Sequence, residues 1–324
     1  MEKCTIQILS GGKIQEPAVI EGITWETTRK GEPSKLVFTC IKDDKLSFSE
    51  GAEVVFCYGN VNVFSGYVFE KKRNKDHHIE VTCYDRTYYL NTKTSCVMTN
   101  VRADQVVTRI AADLGLRIGD VSNTKYVIPT FAKSDMTYID IILDALDETV
   151  MATKELYCLY DDFGSICLKS IEELQTNVLI DEETGEDFDY TTKIDGNTYN
   201  RIVVSQSSSD GSNQNATVVA VAEDKKTQKQ WGVLEHHVTV QEAGNANAMA
   251  QAMLNMYNQV SRSLKMTKQF GHIYVRAGCS VYLNLNLGDM IANQIMIVDK
   301  ATHNFENGHH TMDLTLIDGR GFYA

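Results

Sequence analysis

Three segments of the sequence carry residue types that could do chemistry. Asp162-Phe163-Gly164 matches the metal-holding tripeptide of protein kinases. Phosphoryl transfer also needs a glycine-rich phosphate loop, a strand lysine and a His-Arg-Asp segment, and the sequence has none of them. The tripeptide therefore reads as a hairpin turn. Three adjacent histidine pairs, His77-His78, His236-His237 and His309-His310, offer imidazole, the commonest metal ligand. Successive strand residues point to opposite faces, so such a pair cannot chelate one ion from a regular strand. The preferred reading is polar residues at loop and strand ends, with a metal shared between subunits on a symmetry axis left open. The acidic run DEETGEDFD at 181–189 has many oxygen ligands but lacks the alternating register and terminal Glu of a calcium loop, and reads as a solvated linker.

No GxSxG, HExxH or P-loop pattern occurs. Nor does any carboxylate pair stand out for glycoside chemistry, whose defining separation is three-dimensional. The expectation is a non-enzyme with no catalytic residue, no metal and no cofactor.

The chain has 324 residues, 43% of them hydrophobic and 23% charged, enough for two or three domains with real cores. A formal charge of −12 argues against a nucleic-acid-binding surface, which needs clustered Lys and Arg. The one basic run, Lys71-Lys72-Arg73, falls at an expected hairpin tip. No stretch reaches the roughly 20 apolar residues needed to span a bilayer, and Met1-Glu2-Lys3-Cys4 does not open a signal peptide. Synthesis and solubility in the cytoplasm are expected. The eight cysteines are scattered without a CxxC pair, several inside strand patterns, and read as reduced core residues.

The elements follow from periodicity. To about Met98 the sequence is strand after strand (CTIQIL, GITWETT, KLVFTCI, AEVVFCY, NVFSGYVFE, HIEVTCYD), with turn signals roughly every ten residues, which predicts a closed or nearly closed antiparallel barrel. VRADQVVTRIAADLG then sets Ala103, Val106, Val107, Ile110 and Leu114 on one helical face, with Gly115 as left-handed terminator. A second helix is expected from about Met136 to Thr149, capped by Ser134 and burying Ile139, Ile142, Leu143 and Leu146. LYCLYDDFGSICLKS reads as a hairpin. Beyond Asn197, the polar SSSDGSNQN is expected to be a mobile loop. A helix of about 245–265, with Met249, Met253, Met256, Tyr257, Val260 and Leu264 at helical spacing, precedes strands at HIYVRAG, SVYLNL, IMIVDKATHNF and TMDLTLID.

The end of the sequence repeats the pattern of a segment near its start. EGAEVVFCYGNVNVFSGYVFEKKRNKDHHIEVTCYD at 50–85 and LGDMIANQIMIVDKATHNFENGHHTMDLTLID at 287–318 both open on a Gly-acid turn. Both run through alternating β segments and a polar tip ending in a His pair. Both close on acid-apolar-Thr-apolar-apolar-Asp, where EVTCYD at 80–85 matches DLTLID at 313–318. Matching a two-residue period over several strands predicts one sheet built twice.

EGITWETTRKGEPSKLVFTC, FSEGAEVVFCYGNVNVFSGYVFEKKR, IEVTCYDRTYYLNTKT, VRADQVVTRIAADLGL and MIVDKATHNFENGHHTMDLTLID together resemble the baseplate hub proteins of contractile tails. The likeness is to the XkdQ/YqbQ group of the defective prophage PBSX, related in architecture to the late control D proteins, and it covers nearly the whole chain. It implies a homotrimer whose two barrels per subunit give six around an axis, joining a hexameric tail tube to a trimeric spike. It also implies, as partners, the tube or tube-initiator protein, the central spike protein, the tape-measure protein and baseplate wedge proteins. Some related hubs carry a fused cell-wall-degrading domain, for which Gly319 to Ala324 leaves no room.

The combined expectation is a mainly β fold with an α+β insert: two tail-tube-like antiparallel β-barrels related by internal duplication, a small α+β domain between them and a long helix in the second. The domains are 1–98 (first barrel), 99–192 (insert) and 193–324 (second barrel). Tyr67, Phe69, Tyr274 and Tyr282 are the oligomer-interface candidates. The protein would be assembled in the bacterial cytoplasm and mature into the baseplate of a phage or of a tailocin-type bacteriocin. A peptidoglycan hydrolase acting during envelope penetration and a carbohydrate-binding adhesin are the alternatives.

Overall fold

The structure is a computed structural model that describes residues 2–183, 186–196, 198–210, 213–240, 244–287 and 291–318. The first stretch is all strand: β1 (Cys4–Ser10), β2 (Lys13–Gln15), β3 (Val19–Thr28), β4 (Lys35–Ile41), β5 (Glu53–Tyr58), β6 (Val61–Arg73) and β7 (His78–Tyr84). Next come β8 (Lys93–Val101), α1 (Ala103–Asp113), β9 (Ile118–Val121), β10 (Ile128–Thr137), α2 (Tyr138–Thr153), β11 (Tyr157–Asp162), β12 (Ser165–Ser170), β13 (Gln175–Asp181) and β14 (Asp187–Lys193). The last third holds β15 (Arg201–Asp210), β16 (Asn213–Glu223), α3 (Lys225–Trp231), β17 (Glu235–Val240), α4 (Ala246–Tyr257), β18 (Ser261–Phe270), β19 (Ser280–Asn286), β20 (Ile291–Glu306) and β21 (His309–Asp318). The fold is mainly β. Met1–Asp189 with Leu264–Ile317 make one compact unit, and Tyr190–Ser263 are the body of a second.

In the larger unit one thirteen-stranded sheet runs β14-β18-β21-β20-β3-β4-β7-β6-β5-β1-β2, with β19 joined to β20 and β13 to β19. Strict alternation builds its first half. Leu36, Phe38 and Cys40 of β4, Val54 and Phe56 of β5, and Ile79, Val81 and Cys83 of β7 all point into one core, while their neighbours face outward. The expected separate, closed barrels do not appear in the pairing, which is open and branches at β20 among the described residues. The reason lies in β20, whose 16 residues are long enough to serve two partners. Residues 291–297 pair with β19, and 300–305 pair with β3. Phe305 thereby enters the first half's core, edge-on to Phe56 at 5.1 Å.

The intervening segment follows its periodicity closely. Helix α1 buries Ala103, Val106, Val107 and Ile110, and Gly115 takes φ +64°. Helix α2 begins two residues later than expected because the Thr137 hydroxyl, not Ser134, accepts the Asp140 N–H at 3.1 Å. It runs on to Lys154, whose left-handed φ of 65° ends it. β11 and β12 form the hairpin around Phe163-Gly164, both at positive φ, so the kinase-like tripeptide is a turn.

In the smaller unit β16, β15 and β17 make a three-stranded sheet against which α4 packs, burying Ala250, Met253 and Leu254. Of the expected mobile loop, 207–210 and 213–215 are strand, since β15 and β16 pair as far as Asp210↔Asn213, while 211 and 212 lie outside the described residues. Backbone pairing in a hairpin gives polar residues order without an apolar core. The expected helix of about 245–265 stops at Tyr257, and β18 takes up its last third.

HIYVRAG, expected as a strand, forms two turns in the larger unit, closed by Val275 N–H to His272 O and Cys279 N–H to Arg276 O, both within 3.1 Å. The Ala277 N–H donates to the Thr27 hydroxyl at 2.9 Å, so the segment's polar backbone is satisfied outside a ladder.

Gly66 sits where β6 passes from β5 to β7, and a Cβ there would lie 2.3 Å from the Tyr84 carbonyl and 2.5 Å from the Phe64 ring. Backbone cannot yield as a flexible side chain can. Gly66→Ala is expected to destabilise the larger unit by about 1–3 kcal/mol, read as a lowered chemical-denaturation midpoint. An unchanged midpoint would contradict the packing.

Candidate assembly surfaces and a buried polar junction

Two polar clusters lie inside the larger unit. The first forms where a short 3-10 helix, Arg86–Asn91, meets the β11–β12 hairpin. Asp85 accepts the Ser34 N–H at 3.2 Å on one oxygen and the Thr87 N–H at 3.0 Å on the other. Asp161 accepts the Arg86 N–H at 3.2 Å and the Gly164 N–H at 2.5 Å. The Arg86 guanidinium reaches Ser65 and Glu53, and Arg276 lies over the Tyr160 ring at 4.1 Å while donating to the Asp161 carbonyl. Burial first, and then the Asp161 charge, push Asp85 up to about 7. Asp161 is likewise raised, chiefly by burial. Both carboxylates spend their lone pairs on backbone donors, and the cavity beside them is only about 20 Å³, room for a single water. The arrangement fastens three chain segments together and has no place for a substrate.

The second cluster corrects the reading of His310 as a polar strand-end residue, whereas His309 is exposed at the first position of β21. His310 turns inward, stacks on Phe305 at 4.4 Å and meets His303, 2.8 Å away between ring nitrogens. His303 is fully buried against the Trp25 ring at 4.9 Å, and its Nε2–H donates to the Val275 carbonyl at 2.7 Å. With both rings neutral Nδ1 accepts from His310, and the two rings cannot both be protonated, because two N–H groups would then face each other. Burial accordingly pulls His303 down to about 3, helped by the charge of His310, and burial pulls His310 to about 4. His236 and His237 lie on opposite faces of β17 as alternation requires: His236 stacks on Tyr199, and His237 meets Glu235 in solvent. No cluster of three or more metal-ligating side chains occurs among the described residues. The acidic run contributes the end of β13 and the start of β14, and its residues 184 and 185 lie outside the described residues.

The surface carries two aromatic or apolar features. Tyr67 and Phe69 belong to a group with Tyr84, Tyr88 and Tyr89, in which Phe69 lies 4.2 Å from Tyr88 and Tyr67 takes the Arg86 guanidinium on its face at 5.2 Å. Tyr88 and Tyr89 are exposed. Tyr282 lies on the outer face of β19, directly opposite Leu179 of β13 on one side and Ile295 of β20 on the other. Tyr274 is exposed beside His272, away from any strand. Sequence reading chose Tyr282 without its apolar neighbours, because cross-strand register is invisible until the strands are paired.

Residues 23–317 match the family model described as YQBQ-like. The chain belongs to the YQBQ-like family. Its relatives include the phage-like element PBSX protein XkdQ of Bacillus subtilis (strain 168), 29% identical over 321 residues, with 96% of this chain and 91% of XkdQ covered. In fold this family member is similar to the 43 kDa tail protein of prophage MuSo2 from Shewanella oneidensis, with a TM-score of 0.69 at 11% identity over 97% of this chain and 98% of that one. It is also similar to the E. coli c3393 protein, a component of the type VI secretion system, with a TM-score of 0.58 at 10% identity over 98% and 78% of the two chains. Both likenesses are of fold. Among the described residues no helix is long and apolar enough to cross a membrane.

The two buried clusters oppose each other in their response to pH. Asp85, raised above its unfolded value of about 3.9, stabilises the fold below that value, and the contribution is lost as pH rises toward 7. His303 and His310, depressed below about 6.5, stabilise above that value and lose the contribution as pH falls toward 4 and 3. Asp85→Asn removes one opposing group. The variant's stability is expected to fall more steeply than wild type between about pH 6.5 and 4.5, by about 1.4 kcal/mol per pH unit, in urea titrations across that window. Parallel profiles would refute the assignment.

Proposed function

We propose that the protein is the structural baseplate hub of a contractile tail, a homotrimer that joins a hexameric tail tube to a trimeric central spike by presenting six similar barrels. One observation carries the reading. In the first half the strands stand in the order β3-β4-β7-β6-β5-β1, and in the second in the order β14-β18-β21-β20-β19-β13. Strand for strand the two arrangements correspond, and both place an antiparallel meander (β5-β6-β7, β19-β20-β21) at the centre. They differ at the last position, where β1 is antiparallel to β5 and β13 is parallel to β19. Two like modules per chain let three chains offer sixfold-like contacts, which is how a threefold hub meets a sixfold tube. The proposed domains are 1–98, 99–192 and 193–324, the second module taking β13 and β14 from the end of the middle one, with Tyr67, Phe69, Tyr274 and Tyr282 at interfaces. The secretion-system protein c3393 is described as similar to the T4 tail proteins gp27 and gp5, which supports tube and spike proteins as partners. The same reading places the protein in the baseplate of a phage or phage-tail-like particle, acting by assembly and not by turnover.

Cryo-electron microscopy of particles assembled with the tube and spike proteins provides the test. Three copies on the particle axis, each contributing two similar modules to a pseudo-sixfold ring, are the expected result. Six copies, or an off-axis position, would exclude the hub. Incubation of the purified chain with cell wall is expected to release no soluble fragments.

A further inference from the structure

The smaller unit contains a cleft that neither its sheet nor the buried polar clusters account for. It has a volume of about 510 Å³ and is lined on one side by the end of β16 and the start of α3, and on the other by α4. That is the size of a ligand pocket. Every residue that lines it belongs to Tyr190–Ser263. On the α4 side Gln251, Leu254, Asn255 and Asn258 recur at helical spacing and share one face. Pockets for drug-like ligands are walled mostly by apolar and aromatic side chains, whereas Leu254 is the one apolar residue among the described ones here. The ligand that suits such walls is polar over most of its surface.

Most of the charged groups in the cleft are engaged within the chain. Glu223 pairs with Lys225 at 2.6 Å. Asp224 gives one oxygen to the N–H groups of Lys226 and Thr227 and the other to Asn258 Nδ2 at 2.8 Å. Two acids and two lysines leave the lining without net charge, so the cleft discriminates by hydrogen bonding. The amides have capacity left for that. Gln251 Nε2 donates to Asn255 Oδ1 at 3.0 Å, which leaves Gln251 Oε1 as an acceptor and Asn255 Nδ2 as a donor, both on exposed side chains. Lys226, also exposed, forms no ion pair among the described residues, and its ammonium is a second donor. Asn258 Oδ1 is buried and meets no donor among the described residues. A buried acceptor in that position costs stability until a donor reaches it.

We propose that this cleft binds an uncharged saccharide. A hydroxyl both donates and accepts, so neighbouring hydroxyls of one sugar can donate to Gln251 Oε1 and accept from Asn255 Nδ2 and the Lys226 ammonium. Asn258 Oδ1 receives its donor from a further hydroxyl through a bridging water, as polar sites routinely do. Leu254 is the apolar contact for the C–H face of a ring. An extended peptide fits less well, because peptide recognition draws on a sheet edge, an apolar groove or aromatic walls, and the described lining offers none of them. A ligand carrying carboxylates would meet Glu223 and Asp224. This inference goes beyond the hub reading and does not rest on it.

Saturation-transfer NMR titrations of the full chain with three neutral probes, cellotriose, maltotriose and chitotriose, test it. At least one probe is expected to bind saturably. Gln251→Ala, Asn255→Ala and Lys226→Ala should each weaken that binding about tenfold, the loss of a hydrogen bond whose partner is left unpaired. Val233→Ser, which alters an exposed residue of the smaller unit outside the cleft, should leave it unchanged. All four positions are exposed, so circular dichroism melts should stay at the wild-type midpoint. Failure of all three probes to bind overturns the proposal, as does binding that the cleft variants leave unchanged. Tighter binding of trigalacturonate, which carries a carboxylate on each ring, overturns it too. None of these results touches the copy number and symmetry by which the hub reading stands or falls.

Discussion

The pairing of β20 with β3 is the contact on which the larger unit depends. It joins residues about 280 apart in sequence, setting His303 opposite Trp25 and Phe305 opposite Ile23. Closing so long a loop carries an entropic cost before any contact repays it, so the pairing must be well rewarded. The reward lies on the inward face. Phe305 fills the first half's core beside Phe56, and His303 stacks on Trp25, whose indole N–H is held by Ser34 at 2.9 Å. Ser34 in turn donates its backbone N–H to Asp85. A single line of contacts therefore runs from the terminal repeat through the first half's core to the 3-10 helix that begins the intervening segment.

The same junction explains why buried polar groups are tolerated. An unpaired buried polar group costs more than a hydrogen bond returns, whereas a fully satisfied network holds its parts in one arrangement. The His303–His310 chain is satisfied with both rings uncharged and fails when both are protonated, and Asp85 with Asp161 is satisfied because four backbone N–H groups point at them. These groups fix how segments distant in sequence meet, which an apolar patch of the same size would do with less directional precision. Their cost is the pH sensitivity of each cluster, and the opposite signs of the two make them offset each other in part.

Much of this was legible in the residues. The alternation in KLVFTC and HIEVTC, the helical stripe from Ala103 to Ile110 and the hairpin around Gly164 are local signals, set by which side chains share a face, and the structure follows them. Local signals failed where backbone partners come from far away. HIYVRAG alternates like a strand, but its N–H and C=O groups are met by Thr27 and His303, so no ladder forms. The apolar spacing after Tyr257 continues the helical stripe, yet β18 gains a neighbour in β21 that the sequence does not announce. His309-His310 looked like two tip residues because nothing in their neighbourhood names Phe305 and His303 as partners. Asp85 was visible as the last residue of a repeated motif, but its pairing with Asp161 was not.

The repeat also explains which differences between the halves matter. Two copies of one strand order in one chain can diverge only where the fold does not require them to agree. The centre of each meander is constrained by the core on one face and by ladder bonds on both edges, and there the halves keep the same order. The outermost strand is constrained on one edge only. There the halves part: an antiparallel β1 extended by β2 on one side, and a lone parallel β13 on the other. Divergence is thus confined to strands whose outer edge the rest of the sheet does not bond, while the order of each meander is kept.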